Sequence, residues 1–233
     1  ARRPRPRASF EGPLQVGVIG NAMPHKGLDT LVRLIRASHD QPFALHILGA
    51  TPELDQALAE AGLTADSRPI VRYLGAYDRP TLVQVLQRLH VALFLSPWPE
   101  TYNICLGEAM RLGVVPVATA VGAHVDRVSH QQSGLLVPPA NPLAVLQALQ
   151  TLDGDRSHLA QLSAAAAAIP LVAPDTHARR LEALYGELAP WRGQHQSPCT
   201  RLAVDPQLSL AALGVRLAQD RWIEPGVRWD EPT

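Results

Sequence analysis

Residues 91–119 read VALFLSPWPETYNICLGEAMRLGVVPVAT, which is an apolar run, a polar loop, an amphipathic stretch and a second apolar run. The apolar runs at 91–95 and 115–119 do not alternate with polar residues, which is typical of strands covered by helices on both faces. The stretch at 103–112 has the spacing of a helix with one apolar face. A strand, a helix and a second strand in this order predict a parallel β-α-β unit.

The same alternation extends from this unit in both directions. We predict four more strands, at residues 14–19, 43–48, 70–74 and 134–137, and further helices at 27–38, 52–61, 80–89, 142–152, 158–168 and 176–188. In the helix at 52–61, Pro52 follows Thr51, which we expect to cap the helix. The predicted fold class is α/β, with a doubly wound, parallel, Rossmann-like sheet.

Composition divides the chain into three regions. Residues 1–13 contain four arginines and three prolines and are predicted to be a solvated linker from a preceding domain. Residues 14–190 form the predicted Rossmann-like domain, and residues 191–233 form a predicted tail with a helix at 206–219. Because the chain begins with Ala1 rather than Met, we expect it to be one part of a longer protein.

Basic and acidic residues balance at 21 each, so the chain as a whole has no field that attracts nucleic acid or an anionic membrane. We therefore expect no nucleic-acid partner. The longest stretch of low polarity, residues 164–173, is too short to span a bilayer. Cys105 and Cys199 form no Cys-x-x-Cys pattern, which favours a reducing, cytoplasmic compartment. The histidines lack metal-ligand spacing, and we predict no metal site.

The loop after the first strand contains Lys26, which is the one lysine among the 21 basic residues. Gly20 allows backbone to approach a ligand, and Gly27 opens a helix whose amino end attracts an anion. Gly17 and Gly20 do not form the G-x-G-x-x-G fingerprint, which disfavours an NAD-dependent dehydrogenase. The residues alone leave two readings open, an anion ligand and an ordinary surface lysine.

The loop after the fourth strand contains Glu100 and leads into a helix that contains Glu108. Asn103 is a suitable N-cap, and the N–H groups near Asn103 and Ile104 are natural ligands for a diphosphate. Carboxylates beside a diphosphate are electrostatically awkward unless they accept hydrogen bonds from hydroxyl groups, which sugars supply. The alternative for each glutamate is a helix-capping or solvent-facing charge.

In combination, these segments resemble the donor-binding domain of GT-B glycosyltransferases, most closely the retaining family 4, glycosyl transferases group 1. The E-x7-E hallmark of that family matches ETYNICLGE at residues 100–108. Its Lys-Gly loop matches HKG at 25–27, its Leu-Gly pair matches residues 74–75, and its G-x-L-V-P segment matches residues 134–138. The resemblance covers residues 14–152.

The resemblance implies a role for each matching residue. Lys26 would neutralise the donor diphosphate, Glu100 would contact hydroxyls of the donor sugar, and Glu108 would bind the ribose. These implied roles make Lys26 and Glu100 the predicted catalytic residues. The remaining predicted donor-binding residues supply backbone amides or flank the base and the phosphates: Gly20, Asn21, Gly75, Tyr77, Tyr102, Asn103 and Ile104.

The resemblance also implies the partners. The substrate would be a nucleotide-diphosphate sugar, with no metal and no other cofactor. The acceptor, a glycan or another molecule, would bind a separate amino-terminal domain, and the full-length protein would be compatible with peripheral membrane association. We expect this chain alone to bind donor but hardly to transfer sugar.

Two departures from the family pattern bear on activity. The family often has an arginine where this chain has Asn21, and a second glycine where this chain has Ala123, followed by His124. The first departure predicts weaker donor binding, a different donor or lost activity. For the second, His124 either touches the donor sugar or stabilises its own loop.

We therefore predict a hexosyl-type glycosyltransferase that retains configuration and stabilises the departing diphosphate electrostatically. The main alternative is a non-catalytic nucleotide-sugar-binding or regulatory module on the same fold. A third reading is a nucleotide-sugar epimerase, which shares the GT-B scaffold.

Overall fold

The protein is described here from a computed structural model, which describes residues 10–38, 40–63, 70–74, 77–170 and 174–188. The chain divides into two compact units, Ala1–Leu171 and Val172–Thr233. The described part of the second unit is the helix α8 (Pro174–Leu188). The predicted helix at 206–219 lies outside the described residues.

The first unit is built on one six-stranded sheet. Its strands are β1 (Gln15–Ile19), β2 (Ala44–Ala50), β3 (Ile70–Leu74), β4 (Val91–Phe94), β5 (Val115–Thr119) and β6 (Leu135–Val137). The described helices of this unit are α1 (Leu28–Ala37), α2 (Pro52–Glu60), α3 (Arg79–Leu86), α4 (Ile104–Arg111), α5 (Ala123–Arg127), α6 (Pro142–Gly154) and α7 (Arg156–Ala168). Each predicted strand and helix that falls on described residues is present, within one to three residues at either end.

The strands lie in the order β3-β2-β1-β4-β5-β6, and every neighbouring pair is parallel. The predicted doubly wound, parallel sheet is therefore confirmed. From β1 the chain first builds outward through β2 and β3, then returns to the other side of β1 and builds β4, β5 and β6. The point between β1 and β4 is the topological switch point, where open α/β sheets form a crevice beyond the carboxyl ends of the strands.

The core lies on both faces of this sheet. In β4, Val91 and Leu93 pack into one apolar cluster and Ala92 and Phe94 pack into the other. All four residues of the strand are buried, so neither face tolerates a polar side chain. This two-sided burial is why the apolar runs of the sequence do not alternate.

Two local features differ from the sequence-based expectation. Thr51 stands at the N-cap position of α2, but its side chain does not cap the helix; its hydroxyl instead donates to the backbone oxygen of Ala22 at 3.3 Å. The helix α5 was not predicted, because five residues are too few to show helical periodicity. Both features lie next to the loops that follow the strands.

Candidate functional site

The loops after β1 and β4 form a cleft at the topological switch point, here called the switch-point cleft. Both loops supply polar residues to it, and so does the first turn of α4. These residues are Gly20, Asn21, Lys26, Ser96, Glu100, Asn103 and Cys105. Five of the seven were predicted as catalytic or donor-binding residues, and Ser96 and Cys105 were not. The structure brings these five residues to one cleft, and their roles stay predictions.

The loop after β1 is shaped by its own backbone. A short 3-10 turn over Pro24–Lys26 ends at Gly27, which has a φ of 89° and is the N-cap of α1. A Cβ atom on Gly27 would lie 2.3 Å from the backbone oxygen of Leu95, at the end of β4. Glycine is required here both for the left-handed conformation and for the close approach of the two loops. This approach brings Lys26 to the edge of the second loop.

Lys26 and Glu100 form an ion pair across the cleft. The Nζ atom of Lys26 donates to Oε1 of Glu100 at 2.6 Å, and the two side chains are 45% and 16% exposed. An ammonium group has three N–H donors, and this contact uses one of them. The two residues predicted to be catalytic are therefore neighbours, although 74 residues separate them in sequence.

Ser96 connects the two loops through its side-chain hydroxyl. Its side chain is buried, and its Oγ lies 2.8 Å from the backbone oxygen of His25 and 3.0 Å from that of Trp98. The backbone N–H of Trp98 donates to the same Oγ at 3.3 Å. Ser96 thus connects the loop that carries Lys26 with the loop that carries Glu100. Sequence reasoning missed it, since a lone serine after a strand has no distinguishing spacing.

Glu100 is supported from behind by the turn after β5. The N–H of Ala123 donates to the backbone oxygen of Glu100 at 2.8 Å. A Cβ atom on Gly122, which has a φ of 53°, would lie 2.7 Å from both the backbone N and O of Glu100. Gly122 therefore packs directly against the loop that carries Glu100, where a side chain would not fit.

Asn103 begins α4 and is held by two contacts. It has a φ of 57°, in the left-handed region, and its Oδ1 accepts from the N–H of Leu106 at 3.1 Å. This arrangement confirms the predicted N-cap. On its other side, Nδ2 of Asn103 lies 2.9 Å from Nε2 of His124, which is fully buried. Because it is fully enclosed, His124 does not reach the surface of the cleft.

Arg127 of α5 braces the same turn. Its Nη1 atom donates to the backbone oxygens of Tyr102 and Asn103, at 2.5 and 2.8 Å, and its guanidinium lies 4.3 Å from the centre of the Tyr102 ring. Tyr102 and Ile104 are themselves 54% and 68% exposed. Arg127 was not predicted, because α5 and its position against α4 are tertiary features.

Tyr77 and Glu108 form a second group beside the cleft, joined through Cys105. Burial, together with a hydrogen bond to the Cys105 thiol and the negative charge of Glu108, raises the pKa of Tyr77 to about 12. Burial likewise raises the pKa of Cys105, while Lys26 lowers it. Both groups are therefore neutral at pH 7. Gly75, predicted to flank the base, lies outside the described residues.

The fold and the site together define a class of protein. A doubly wound parallel sheet brings one lysine, one glutamate and the amino end of a helix together at its switch point. The sequence model of the family described as Glycosyl transferases group 1 matches residues 13–155, and the chain belongs to this family.

Relatives of known sequence support this assignment. The chain is 29% identical over 143 residues to the D-rhamnosyltransferase WbpZ of Pseudomonas aeruginosa, a match that covers 60% of this chain and 36% of that protein. It is 24% identical over 124 residues to an uncharacterized glycosyltransferase of Methanocaldococcus jannaschii, covering 53% of this chain and 32% of that protein. The chain thus spans about a third of the length of these relatives.

Solved structures share the fold. Anabaena HepE, crystallised in complex with UDP-glucose, superposes with a TM-score of 0.59 at 21% identity, over 67% of this chain and 43% of that one. The carboxy-terminal domain of the group 1 glycosyl transferase LpcC from Francisella tularensis superposes with a TM-score of 0.57 at 20% identity, over 71% of this chain and 89% of that one.

Among the described residues, no helix is both long and apolar enough to cross a bilayer. The same residues contain no group of three or more His, Cys, Asp or Glu side chains placed to bind a metal ion.

Proposed function

We propose that the chain binds a nucleotide-diphosphate sugar in the switch-point cleft and is the donor-binding part of a glycosyltransferase. The observation that carries this proposal is the convergence of Lys26, Glu100 and the amino end of α4 on one cleft. Lys26 comes from the loop after β1, and the other two groups come from the loop after β4 and the helix that follows it. A cation, a helix amino end and a carboxylate in one place match a ligand that has both phosphates and hydroxyls.

The diphosphate would be bound without a metal ion. Lys26 supplies a formal positive charge, and two of its N–H donors remain beyond the contact with Glu100. The first N–H groups of α4, at Ile104 and Cys105, precede the one that Asn103 caps, and a helix amino end favours an anion. Together they would stabilise the negative charge that develops on the departing nucleotide, which is the main catalytic requirement.

The two glutamates would bind hydroxyl groups. Glu100 is 16% exposed and lines the cleft, where its second carboxylate oxygen can accept from the donor sugar. Glu108 lies near Tyr77 and Cys105, about one turn after Cys105 along α4. We propose that the ribose binds there. Glu100 positions the sugar and is not the attacking nucleophile. We propose transfer with retention of configuration because the chain resembles a retaining family, and the departing diphosphate would be stabilised electrostatically.

The acceptor would bind outside this chain. The matched segments cover 36% and 32% of the two relatives, so the rest of such a protein has room for a second domain facing the cleft. We propose a hexose as the transferred sugar and a glycan among the possible acceptors. The chain alone would bind donor with little transfer, and detectable transfer by it would contradict this part of the proposal.

The separation of Cys105 and Cys199 favours a cytoplasmic location.

Calorimetric titration of the chain with UDP, GDP, dTDP and ADP tests the donor site. We expect one of the four to bind. Lys26→Ala should weaken that nucleotide by roughly 10- to 100-fold, because a charge-assisted hydrogen bond is worth about 1.5–3 kcal/mol.

Arg33→Ala is the matched control for this titration. It removes a cation of α1 that is paired with Asp29 at 3.0 Å, away from the cleft. The nucleotide affinity of Arg33→Ala should stay within about 2-fold of that of the unmodified chain, since salt screens an exposed charge that lies away from the cleft. Equal losses in the two variants, or binding of none of the four nucleotides, would contradict the proposed site.

The alternative, a non-catalytic binding module, rests on Asn21. This residue lines the cleft where the family often has an arginine, so the site has one fewer cation. Asn21→Arg in the full-length protein separates the two functions. A gain in both donor affinity and turnover supports the enzyme, whereas a gain in affinity with no turnover supports the module. Release of free sugar without an acceptor would support the epimerase.

A further inference from the structure

Asn103 has a backbone conformation that its side-chain contacts support. Its φ of 57° lies in the left-handed region, which asparagine adopts more readily than other residues with a Cβ atom because its side chain can hydrogen-bond locally. Its side chain also turns back to cap Leu106, which fixes the direction of its amide group. The start of α4, with the N–H groups proposed to bind phosphate, depends on this turn.

His124 supplies that support from a fully enclosed position. Since Oδ1 of Asn103 accepts from a backbone N–H, Nδ2 is the atom that faces His124, and an amide nitrogen can only donate. Nε2 of His124 must therefore be the acceptor. Its Nδ1 lies 3.0 Å from the backbone oxygen of Thr119, which can only accept, so Nδ1 carries the proton. The contacts on both sides thus specify one neutral tautomer.

We propose that His124, as the neutral Nδ1–H tautomer, is a positioning residue that holds Asn103 in its left-handed turn and so aims the first N–H groups of α4 at the donor phosphates. The chain of contacts runs from Thr119 at the end of β5 through His124 to Asn103. Thr119 is itself anchored, since its hydroxyl lies 2.5 Å from the backbone oxygen of Ser96. This inference rests on the proposed function and adds a residue that never touches the donor.

The surroundings of His124 favour the neutral form at pH 7. Burial lowers the pKa of the imidazole, and the positive charges of Lys26 and Arg127 act in the same direction. The backbone oxygen of Thr119 and the carboxylate of Glu100 oppose this but do not reverse it. As the pH falls through this lowered pKa, Nε2 gains a proton and two donors face each other. Support for Asn103 is then lost on the acid side.

Three variants separate positioning from simple packing. His124→Leu removes both contacts and should weaken the tightest binder among UDP, GDP, dTDP and ADP on the order of 10-fold, since it leaves the Asn103 amide buried without its partner. His124→Gln can place a carbonyl oxygen where Nε2 accepts and should recover most of that loss. Glycine at position 103 adopts the left-handed turn without support. In an Asn103→Gly background, His124→Leu should therefore lower the nucleotide affinity by less than about 2-fold.

The pH profile supplies a readout that a packing role would not move. The ratio of the affinity of the unmodified chain to that of His124→Gln should fall as the pH is lowered from 6.5 to the acid limit at which the chain stays folded, because the pKa of His124 lies below 6.5 and glutamine does not titrate. Using a ratio cancels protonation of the nucleotide. A ratio that stays constant across this range, together with equal effects of His124→Leu in both backgrounds, would overturn the proposal.

Nitrogen-detected NMR of the imidazole tests the contact without a nucleotide. We expect the Nδ1–H tautomer at pH 7 in the unmodified chain. In His124→Leu, the chemical shift of the Asn103 side-chain amide should change because its contact with Nε2 is lost. An Nε2–H tautomer or a charged ring at pH 7 would overturn the inference even if nucleotides bind. Failure of all four nucleotides to bind, with the expected tautomer present, would instead overturn the proposed function and the phosphate role with it.

Discussion

The two loops on either side of the switch-point cleft are fixed in different ways. The loop after β1 is set by backbone: a 3-10 turn, a left-handed glycine and the close contact between Gly27 and Leu95. The loop after β4 is set by side chains. Ser96 acts at the start of the loop, and His124 and Arg127 of α5 contact Asn103 and Tyr102. Each loop supplies one member of the ion pair between Lys26 and Glu100.

This difference separates two kinds of sensitivity. A backbone-defined loop fails when a side-chain atom is added where none fits. A side-chain-defined loop fails when one polar contact is removed, and it can be repaired by a residue that restores the contact. The ion pair itself contributes little to folding, since one of its members is nearly half exposed. Three predictions test these distinctions.

The largest effect is expected for Gly27→Ala in the backbone-defined loop. The new Cβ would lie 2.3 Å from the backbone oxygen of Leu95 at a φ of 89°, so both contact and conformation are unfavourable. We expect the free energy of unfolding in urea to fall by more than about 3 kcal/mol. Gly12→Ala is the control, since its φ of 73° is also left-handed but nothing lies within 4 Å of the new Cβ. That variant should lose about 1–2 kcal/mol. Equal losses would mean that the approach to Leu95 does not define the loop.

An intermediate effect is expected for Ser96→Ala, which disconnects the two loops. The loss of a buried hydroxyl that contacts two backbone oxygens should lower the free energy of unfolding by about 1–3 kcal/mol. Nucleotide affinity, measured by calorimetry, should fall by roughly 3- to 10-fold because Lys26 and Glu100 are no longer held in register.

Ser163→Ala is the matched control for this change. Ser163 is also buried, and its Oγ lies 2.5 Å from the backbone oxygen of Gly113, outside the cleft. The two variants should lose similar stability, but the control should leave nucleotide affinity within about 2-fold. If both variants lose affinity alike, Ser96 acts through general stability and not through the loops.

The smallest effect is expected for the stability of Lys26→Ala. An exposed ion pair is worth about 0–1 kcal/mol, so its free energy of unfolding should change by less than about 1 kcal/mol. Arg33→Ala, which removes another exposed pair, should change it by a similar amount. The same Lys26→Ala protein is expected to lose most of its nucleotide affinity. A stability loss well above that of Arg33→Ala would mean that Lys26 is a structural residue.

Much of the fold could be predicted from hydrophobic periodicity and from the loop residues that separate strands and helices. The strands, the parallel sheet and the capping by Asn103 were all predicted, because each depends on a few neighbouring residues. The short helix α5 was missed because five residues carry no period, and Thr51 was misread because its hydroxyl has a better partner in the next loop. The predicted domain limits at residues 13 and 190 stay predictions.

The candidate site divides along the same line. Lys26, Glu100 and Asn103 follow the strands that flank the switch point, so strand order alone brings them to one edge. Ser96, His124 and Arg127 act through contacts with segments 21 to 71 residues away. The spacing of serines, histidines and arginines in the sequence does not indicate contacts of this kind.

The sequence by itself determined that this protein is a parallel α/β domain of the group 1 glycosyl transferase family, with a lysine and a glutamate in the loops at its switch point. It could do so because burial on two faces and helix capping are local requirements, written into adjacent residues. Only the tertiary structure decided that Lys26 contacts Glu100 and that a buried histidine supports the turn before α4. Those contacts depend on the register of the sheet and on the way its loops pack, and hydrogen bonds form only within about 3 Å.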